Sequence, residues 1–270
     1  MKSDALFDGR AIPALGLGTW EIGGRTSPDY SRDRGDLEAL RAALELGYRH
    51  IDTAEVYGGG HAEELIGRAI KAFRREELFI TTKVSPEHLH AQEVLRTLEG
   101  SLRRLQTDCV DLYLIHWPNA RIPLEETFRG LNELVRRGVV RYLGVSNFNL
   151  AQLKKAQAFS ETPIVTNQVP YSLRDRGYAR NGVLEYCQRE GIILTAYSPL
   201  KGGVLKQPAV RQVAEKLKAT PAQVALAWLI GQARVITIPK SDKHKHLEEN
   251  LGALEIELSA EDVERLDRIA

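Results

Sequence analysis

The chain has 270 residues, with 37 Lys+Arg against 36 Asp+Glu and a formal net charge of +1, so it carries no global field to draw nucleic acid or an anionic membrane. Its two cysteines, Cys109 and Cys187, lie far apart without a CxxC, which excludes a disulfide scaffold and a thiolate zinc site. The longest apolar run, Val224 to Ile230, is too short to span a bilayer, and "MKSDALFDGR" lacks a signal-peptide run, so a soluble cytoplasmic protein is expected.

In chain order, "LFDGRAIPA" reads as a hairpin with Asp8-Gly9 in its turn, placed to plug one end of the fold. Short β-branched and apolar runs then alternate with helical patterns. The candidate strands are Leu15–Gly18, Tyr48–Asp52, Leu78–Lys83, Val110–His116, Val140–Val145, Ile164–Asn167, Ile192–Tyr197 and Val235–Pro239. They are too continuously apolar for a half-exposed sheet and read as strands buried on both faces. Between them, Leu37, Leu40 and Leu44 share a helical face, as do Leu65, Ala69, Ile70 and Phe73. Val94, Leu95, Leu98, Leu102 and Leu105 form a third stripe, and Phe128, Leu131, Leu134 and Val135 a fourth. "TPAQVALAWLI" starts a helix with Thr220 as N-cap and Pro221 at the first helical position, and its Trp228 belongs to the core. Helices around Ala209–Lys218 and Ala260–Ile269 exceed the minimal plan. Eight alternating units predict an α/β fold, a (β/α)8 TIM barrel with an N-terminal β-hairpin and two extra helices, as one domain over 1–270. An open dinucleotide-binding sheet is disfavoured because no GxGxxG follows any strand.

The working face of such a barrel is the C-terminal end of its strands. Those ends deliver, in order, Thr19-Trp20, Asp52 with Tyr57 beyond it, Lys83, His116-Trp117, Ser146-Asn147, Asn167-Gln168, Tyr197-Ser198 and Lys240-Ser241. Singly, each has a structural reading: Asp52 as a turn cap, Lys83 as a solvated strand end, His116 as a core-edge ring. Together on one face, an acid, a phenol, a lysine and a histidine supply coupled proton chemistry. A free phenol has a pKa of about 10, too high for ready proton donation near neutrality. A neighbouring ammonium favours the phenolate, and a carboxylate keeps that ammonium charged and fixed. Asp52 is therefore expected to hold Lys83, and Lys83 to make Tyr57 an acid. The glycines after Tyr57 read as a flexible turn, not a phosphate cradle, since no GK[ST] follows. His244 and His246 in "KHKH" do not share a helical face, His88 and His90 read as loop residues, and no metal site is expected.

With these residues in place, the sequence resembles the aldo-keto reductases, as a short member of the prokaryotic type. The match runs from "IPALGLGTW" to the last helix through "GYRHIDTAEVYG", "TTKV", "DLYLIHWP", "RYLGVSNF", "NQVPYS", "AYSPL" and "IPKS…EEN". The resemblance implies hydride transfer from a nicotinamide to the carbonyl of an aldehyde or ketone, with Tyr57 as general acid, Asp52 and Lys83 tuning it and His116 orienting the carbonyl. It implies carboxamide contacts from Ser146, Asn147 and Gln168, and ring stacking from Tyr197. Pyrophosphate contacts fall to Ser198 and Leu200, the 2′-phosphate grip to Lys240 and Ser241, and adenine contacts to Glu249 and Asn250. Gly18, Thr19, Trp20, Asp52 and Ile238 complete the cofactor walls, while Trp20, Tyr57, His116 and Trp117 line the substrate pocket. His246 stands where the family usually has arginine, which weakens a preference for NADPH over NADH without removing it. The expected cofactor is NADPH, with NADH as alternative; the expected partner is a small-molecule carbonyl substrate, and the protein is expected to be a monomer. Ending at Ala270, the chain lacks the tail that many relatives fold over the pocket, so an open pocket is expected. Two rival readings are a class I aldolase with Lys83 as Schiff-base lysine, and a non-catalytic nucleotide-binding regulatory or structural protein on the same fold.

Overall fold

The computed structural model describes residues 2–269. Strands β1 (Ser3–Ala5) and β2 (Ala11–Pro13) pair antiparallel around the predicted turn, where Gly9 takes φ +85°. Eight parallel strands come next in sequential order: β3 (Leu17–Gly18), β4 (His50–Asp52), β5 (Phe79–Val84), β6 (Val110–Ile115), β7 (Val140–Ser146), β8 (Ile164–Pro170), β9 (Ile193–Tyr197) and β10 (Val235–Thr237). A parallel bridge between Leu15 and Thr237 joins last strand to first, and the Gly16 N–H donates to the Thr237 carbonyl at 2.9 Å. The sheet thereby closes as a (β/α)8 barrel. Every predicted strand is present, with ends shifted by up to three residues; β8 runs on to Pro170, so Gln168 lies within it.

The crossovers are α1 (Asp33–Glu45), α2 (His61–Ile70), α3 (Ala91–Leu105), α4 (Leu124–Arg136), α5 (Leu150–Phe159), the short α6 (Gly177–Arg180) with α7 (Val183–Arg189), α9 (Pro221–Ile230) and α10 (His244–Leu251). The two additional helices are α8 (Pro208–Leu217) and α11 (Ala260–Asp267). Helix α9 begins as its sequence dictates: the Thr220 hydroxyl accepts from the Gln223 N–H, the Gln223 side chain accepts from the Thr220 N–H, and Pro221 is at N1. Trp228 on that helix is core, packed against Tyr171.

Strands β5 and β6 are buried along their whole length, because helices cover one side and barrel-filling side chains the other. Leu6 and Ile12 of the hairpin pack against Phe79, Leu112, Tyr142, Val165 and Ile236, sealing the barrel at the N-terminal ends of its strands. The hairpin is also bonded there: Tyr142 donates to Asp8 at 2.6 Å, and Arg10 reaches the buried Asp111 at 2.9 Å. The opposite end stays open for chemistry. Among the described residues no helix is long and apolar enough to cross a membrane.

Candidate active site

A cavity of about 680 Å³ opens at the C-terminal ends of the strands. Asp52, the last residue of β4, lines it, and Lys83 of the adjacent strand β5 lies buried behind Asp52 and Tyr57. The Lys83 Nζ donates to Asp52 Oδ1 at 2.6 Å and to the Thr53 carbonyl at 2.6 Å. It stands 3.5 Å from the Tyr57 hydroxyl. Gln168 Nε2 donates to the other Asp52 oxygen at 2.7 Å, so both carboxylate oxygens are occupied. A buried ammonium needs this arrangement, since an unpaired one would be strongly destabilising.

Tyr57 opens a tight turn, Tyr57–Gly60, in which Gly58, Gly59 and Gly60 all adopt positive φ. This turn is not the loose segment that three glycines suggest. Gly58 is buried, its N–H donates to the Arg25 carbonyl at 2.7 Å, and a Cβ there would lie 2.4 Å from the Gly23 carbonyl oxygen. Glycine is required for close backbone approach, and that approach fixes where the phenol points.

Two aromatic rings frame Tyr57. Trp20 meets it edge-on at 5.0 Å between centroids, and the His116 ring lies at 5.7 Å on another side. Burial, helped by the Lys83 charge, lowers the His116 pKa to about 3, so the imidazole is neutral at physiological pH. The expectation that lysine makes Tyr57 more acidic requires correction. Burial raises the phenol's pKa, and although the Lys83 charge pulls it down, burial prevails. Tyr57 therefore holds its proton firmly at neutral pH. Burial presses on Lys83 in the discharging direction, but the charges of Asp52 and Tyr57 and the hydrogen bonds to both together outweigh it and leave the pKa raised.

A second wall is polar. Ser146 Oγ donates to the Gln168 carbonyl at 2.9 Å, and Asn147 Nδ2 reaches Ser146 Oγ at 2.9 Å and the His116 carbonyl at 3.2 Å. The Tyr197 hydroxyl donates to Asn147 Oδ1 at 2.9 Å, which fixes the ring. Asn147 (φ +64°) and Ser198 (φ +54°) both sit in the left-handed region, a strained geometry that clusters at binding sites. Gly18, Thr19, Leu200, Ile238 and Lys240 line the remainder, and a Cβ on Gly18 would stand 2.6 Å from the Ile238 carbonyl oxygen. Trp20 and Trp117 are partly exposed at the cavity and, with Val56 and Pro86, give it apolar walls.

Four residues expected around the cofactor lie outside the cavity lining: Ser241, His246, Glu249 and Asn250. Ser241 accepts from the Lys243 N–H at 3.1 Å, and His246 pairs with Glu249 at 2.9 Å on α10. Lys240 does line the cavity, and its Nζ sits 3.4 Å from Asp242. Sequence reasoning missed Asp242, and equally Arg32, which contacts that carboxylate at 3.2 Å from 210 residues away. No local pattern signals such a pairing. Among the described residues no group of His, Cys, Asp and Glu could hold a metal, and His244 and His246 are exposed on α10. His90, at the start of α3, pairs with Glu126, and His88 with Glu55.

The aldo/keto reductase family model matches residues 14–270. Methylglyoxal reductase YeaE of Escherichia coli (strain K12) is 38% identical, the alignment covering 96% of this chain and 91% of that protein. The glyoxal reductase of Bacillus subtilis (strain 168) is likewise 38% identical, over 98% of this chain and 91% of its own. Among solved structures, a thermostable aldo-keto reductase in complex with the inhibitor epalrestat is 52% identical with a TM-score of 0.97, covering 100% of both chains. An aldo/keto reductase from Klebsiella pneumoniae in complex with NADP and acetate is 37% identical with a TM-score of 0.88, over 97% of this chain and 92% of that one. On fold, strand-end chemistry and similarity along its whole length, the chain belongs to the aldo/keto reductase family.

Proposed function

We propose that this protein reduces small aldehydes and ketones with NADPH, and that Tyr57 protonates the carbonyl oxygen. One observation carries the reading: Tyr57, Asp52 and the neutral His116 meet at one cavity, and the buried Lys83 ammonium, paired to Asp52, stands 3.5 Å from the Tyr57 hydroxyl. The methylglyoxal and glyoxal reductases among its relatives support 2-oxoaldehydes as a substrate class.

The cavity residues fit a nicotinamide dinucleotide by the chemistry of their donors. Ser146, Asn147 and Gln168 offer amide and hydroxyl groups on one wall, and Tyr197 offers a planar ring beside them. Lys240 offers a cation for a phosphate. The bound dinucleotide supplies a hydride; the remaining roles belong to the protein. Burial keeps the proton on Tyr57 until a developing alkoxide, far more basic than a phenol, draws it off. The Lys83 ammonium then stabilises the phenolate left behind. Uncharged His116 can hydrogen-bond the substrate oxygen without competing as a strong acid. Trp20 and Trp117 limit water at the reacting centre.

All four proton-handling groups come from one chain, which supports a monomer as the working form. NADH is the alternative coenzyme, because Lys240 already faces Asp242 and His246 is engaged by Glu249. The test is loss of 340 nm absorbance with NADPH, then NADH, against methylglyoxal, simple aldehydes and keto sugars. Turnover of methylglyoxal with a preference for NADPH is expected. Fluorescence-detected NADPH binding with no turnover of any carbonyl would overturn the reading.

A further inference from the structure

Next to the active-site elements lies another ion pair, between Glu63 of α2 and the partly buried Arg104 of α3. Glu63 is fully buried. Its Oε1 accepts from the Thr82 hydroxyl at 2.6 Å, and its Oε2 accepts from Arg104 Nε at 2.7 Å with Arg104 Nη2 also at 2.7 Å. Arg104 Nη2 further donates to Ser101 Oγ at 3.3 Å.

Each end of this pair touches an element that carries a proton-handling group. Thr82 precedes Lys83 on β5, and strand alternation turns Thr82 toward the helices while Lys83 faces the barrel interior. The Arg104 side chain lies flat against Gly60, the last residue of the turn that Tyr57 opens. A Cβ on Gly60, whose φ is +98°, would stand 2.7 Å from Arg104 Nε and 2.9 Å from its Cδ. From the other side, the same turn is pressed by the backbone of Gly23 and Arg25. Lys83 and Tyr57 come from different elements, yet both are referred to one carboxylate–guanidinium pair.

A buried ion pair is weak support for stability alone, since apolar residues often replace one without loss. Its geometry here does more than fill space. We infer that Arg104, anchored by Glu63, is a positioning residue that sets the distance between the Tyr57 hydroxyl and the Lys83 ammonium. The inference rests on Tyr57 being the proton donor. Lysine at position 104 keeps the charge but loses the planar fork that holds Glu63 and supports Gly60. The turn then relaxes, Tyr57 moves off Lys83, and the ammonium stabilises the phenolate less.

The experiment compares Arg104→Lys, Glu63→Gln and Tyr57→Phe in the full-length protein, using methylglyoxal and NADPH. Melting temperature, NADPH affinity by fluorescence, KM, kcat and the pH profile of kcat are read for each. Arg104→Lys is expected to bind NADPH as the parent does and to lose roughly tenfold or more in kcat with little change in KM. Its alkaline limb should move to higher pH, and Arg104→Lys in the Tyr57→Phe background should cost nothing further. A lowered melting temperature with unchanged kcat and pH profile would assign the pair a purely structural role and overturn the inference. Where Arg104→Lys does not fold, Glu63→Gln carries the same readouts. If Tyr57→Phe itself retains turnover, the reading of Tyr57 as donor fails; if only the Arg104 and Glu63 variants are silent, the positioning inference fails alone.

Discussion

Replacing Lys83 by methionine removes the cation without changing the volume greatly, and its contacts imply two effects. The first is catalytic. Nζ lies 3.5 Å from the Tyr57 hydroxyl. At an effective dielectric of about 20, unit charges at that separation interact by roughly 4–5 kcal/mol. Opposite charges at such range shift a pKa by about one to three units, or roughly 1.4–4 kcal/mol. Turnover should fall between about 10-fold and 1,000-fold, a range that overlaps the lower part of a general-acid contribution of roughly 100- to 10,000-fold. The second effect is structural. Asp52, 2% exposed, is left facing the methionine with only Gln168 still donating to it. Breaking a buried pair in this way costs about 3–5 kcal/mol, a fall in melting temperature on the order of 10 °C. A second substitution separates the two: in Lys83→Met/Asp52→Asn no buried charge is stranded, so the melting temperature should largely return while kcat stays low. The assays are NADPH oxidation at 340 nm and thermal unfolding. A Lys83→Met protein with parental kcat, or a double variant recovering activity along with stability, would refute the reasoning.

The buried histidines set an acid-side stability slope. Burial lowers His116 to about 3 and His50 to about 4, against an unfolded value near 6.5. A lowered folded value means that the unfolded chain binds the protons, so stability is full above about pH 6.5 and is lost as pH falls toward those values, by up to about 2.7 kcal/mol per pH unit for the two together. His116→Gln should halve that slope in urea unfolding measured from pH 7 to pH 4, and an unchanged slope would count against burial as its cause. His61 has the opposite sign. Its burial is outweighed by hydrogen bonds to Asp33 and Glu64, so its pKa is raised and its contribution fades as pH rises through it. Substituting alanine for Gly58 places a Cβ against the Gly23 carbonyl at a φ of +56°, and should cost on the order of 2–4 kcal/mol in chemical unfolding. A loss below 1 kcal/mol, on the order of an ordinary surface change, would show that the turn yields.

Much of the barrel was legible because its strands are buried on both faces and read as short runs dominated by β-branched, aromatic and aliphatic residues, as "FITTKV" and "VDLYLI" do. The four residues proposed to handle the proton stood out for a related reason: Asp52, Lys83 and His116 lie at the ends of such runs, and together on one barrel face they exceed what single turn caps or core-edge groups would supply. What the sequence hid is set by contacts between distant segments. Glu63 occupies a helix position that reads as solvent-facing, and it is buried only because Arg104, 41 residues on, neutralises it. The rigidity of Gly58–Gly60 comes from Gly23, Arg25 and Arg104, none of which the local "YGGG" implies. The direction of the Tyr57 pKa depends on how deeply the ring sinks, a quantity that spacing along the chain does not carry.

The role of Tyr57 as proton donor is tested most directly by Tyr57→Phe. The change removes one hydroxyl that contacts Lys83 and leaves the ring packing with Trp20 in place. The expected result is NADPH binding like that of the parent and a loss of about 100-fold or more in carbonyl turnover. Parental turnover in Tyr57→Phe would contradict that role, because the proton would then have to come from another group.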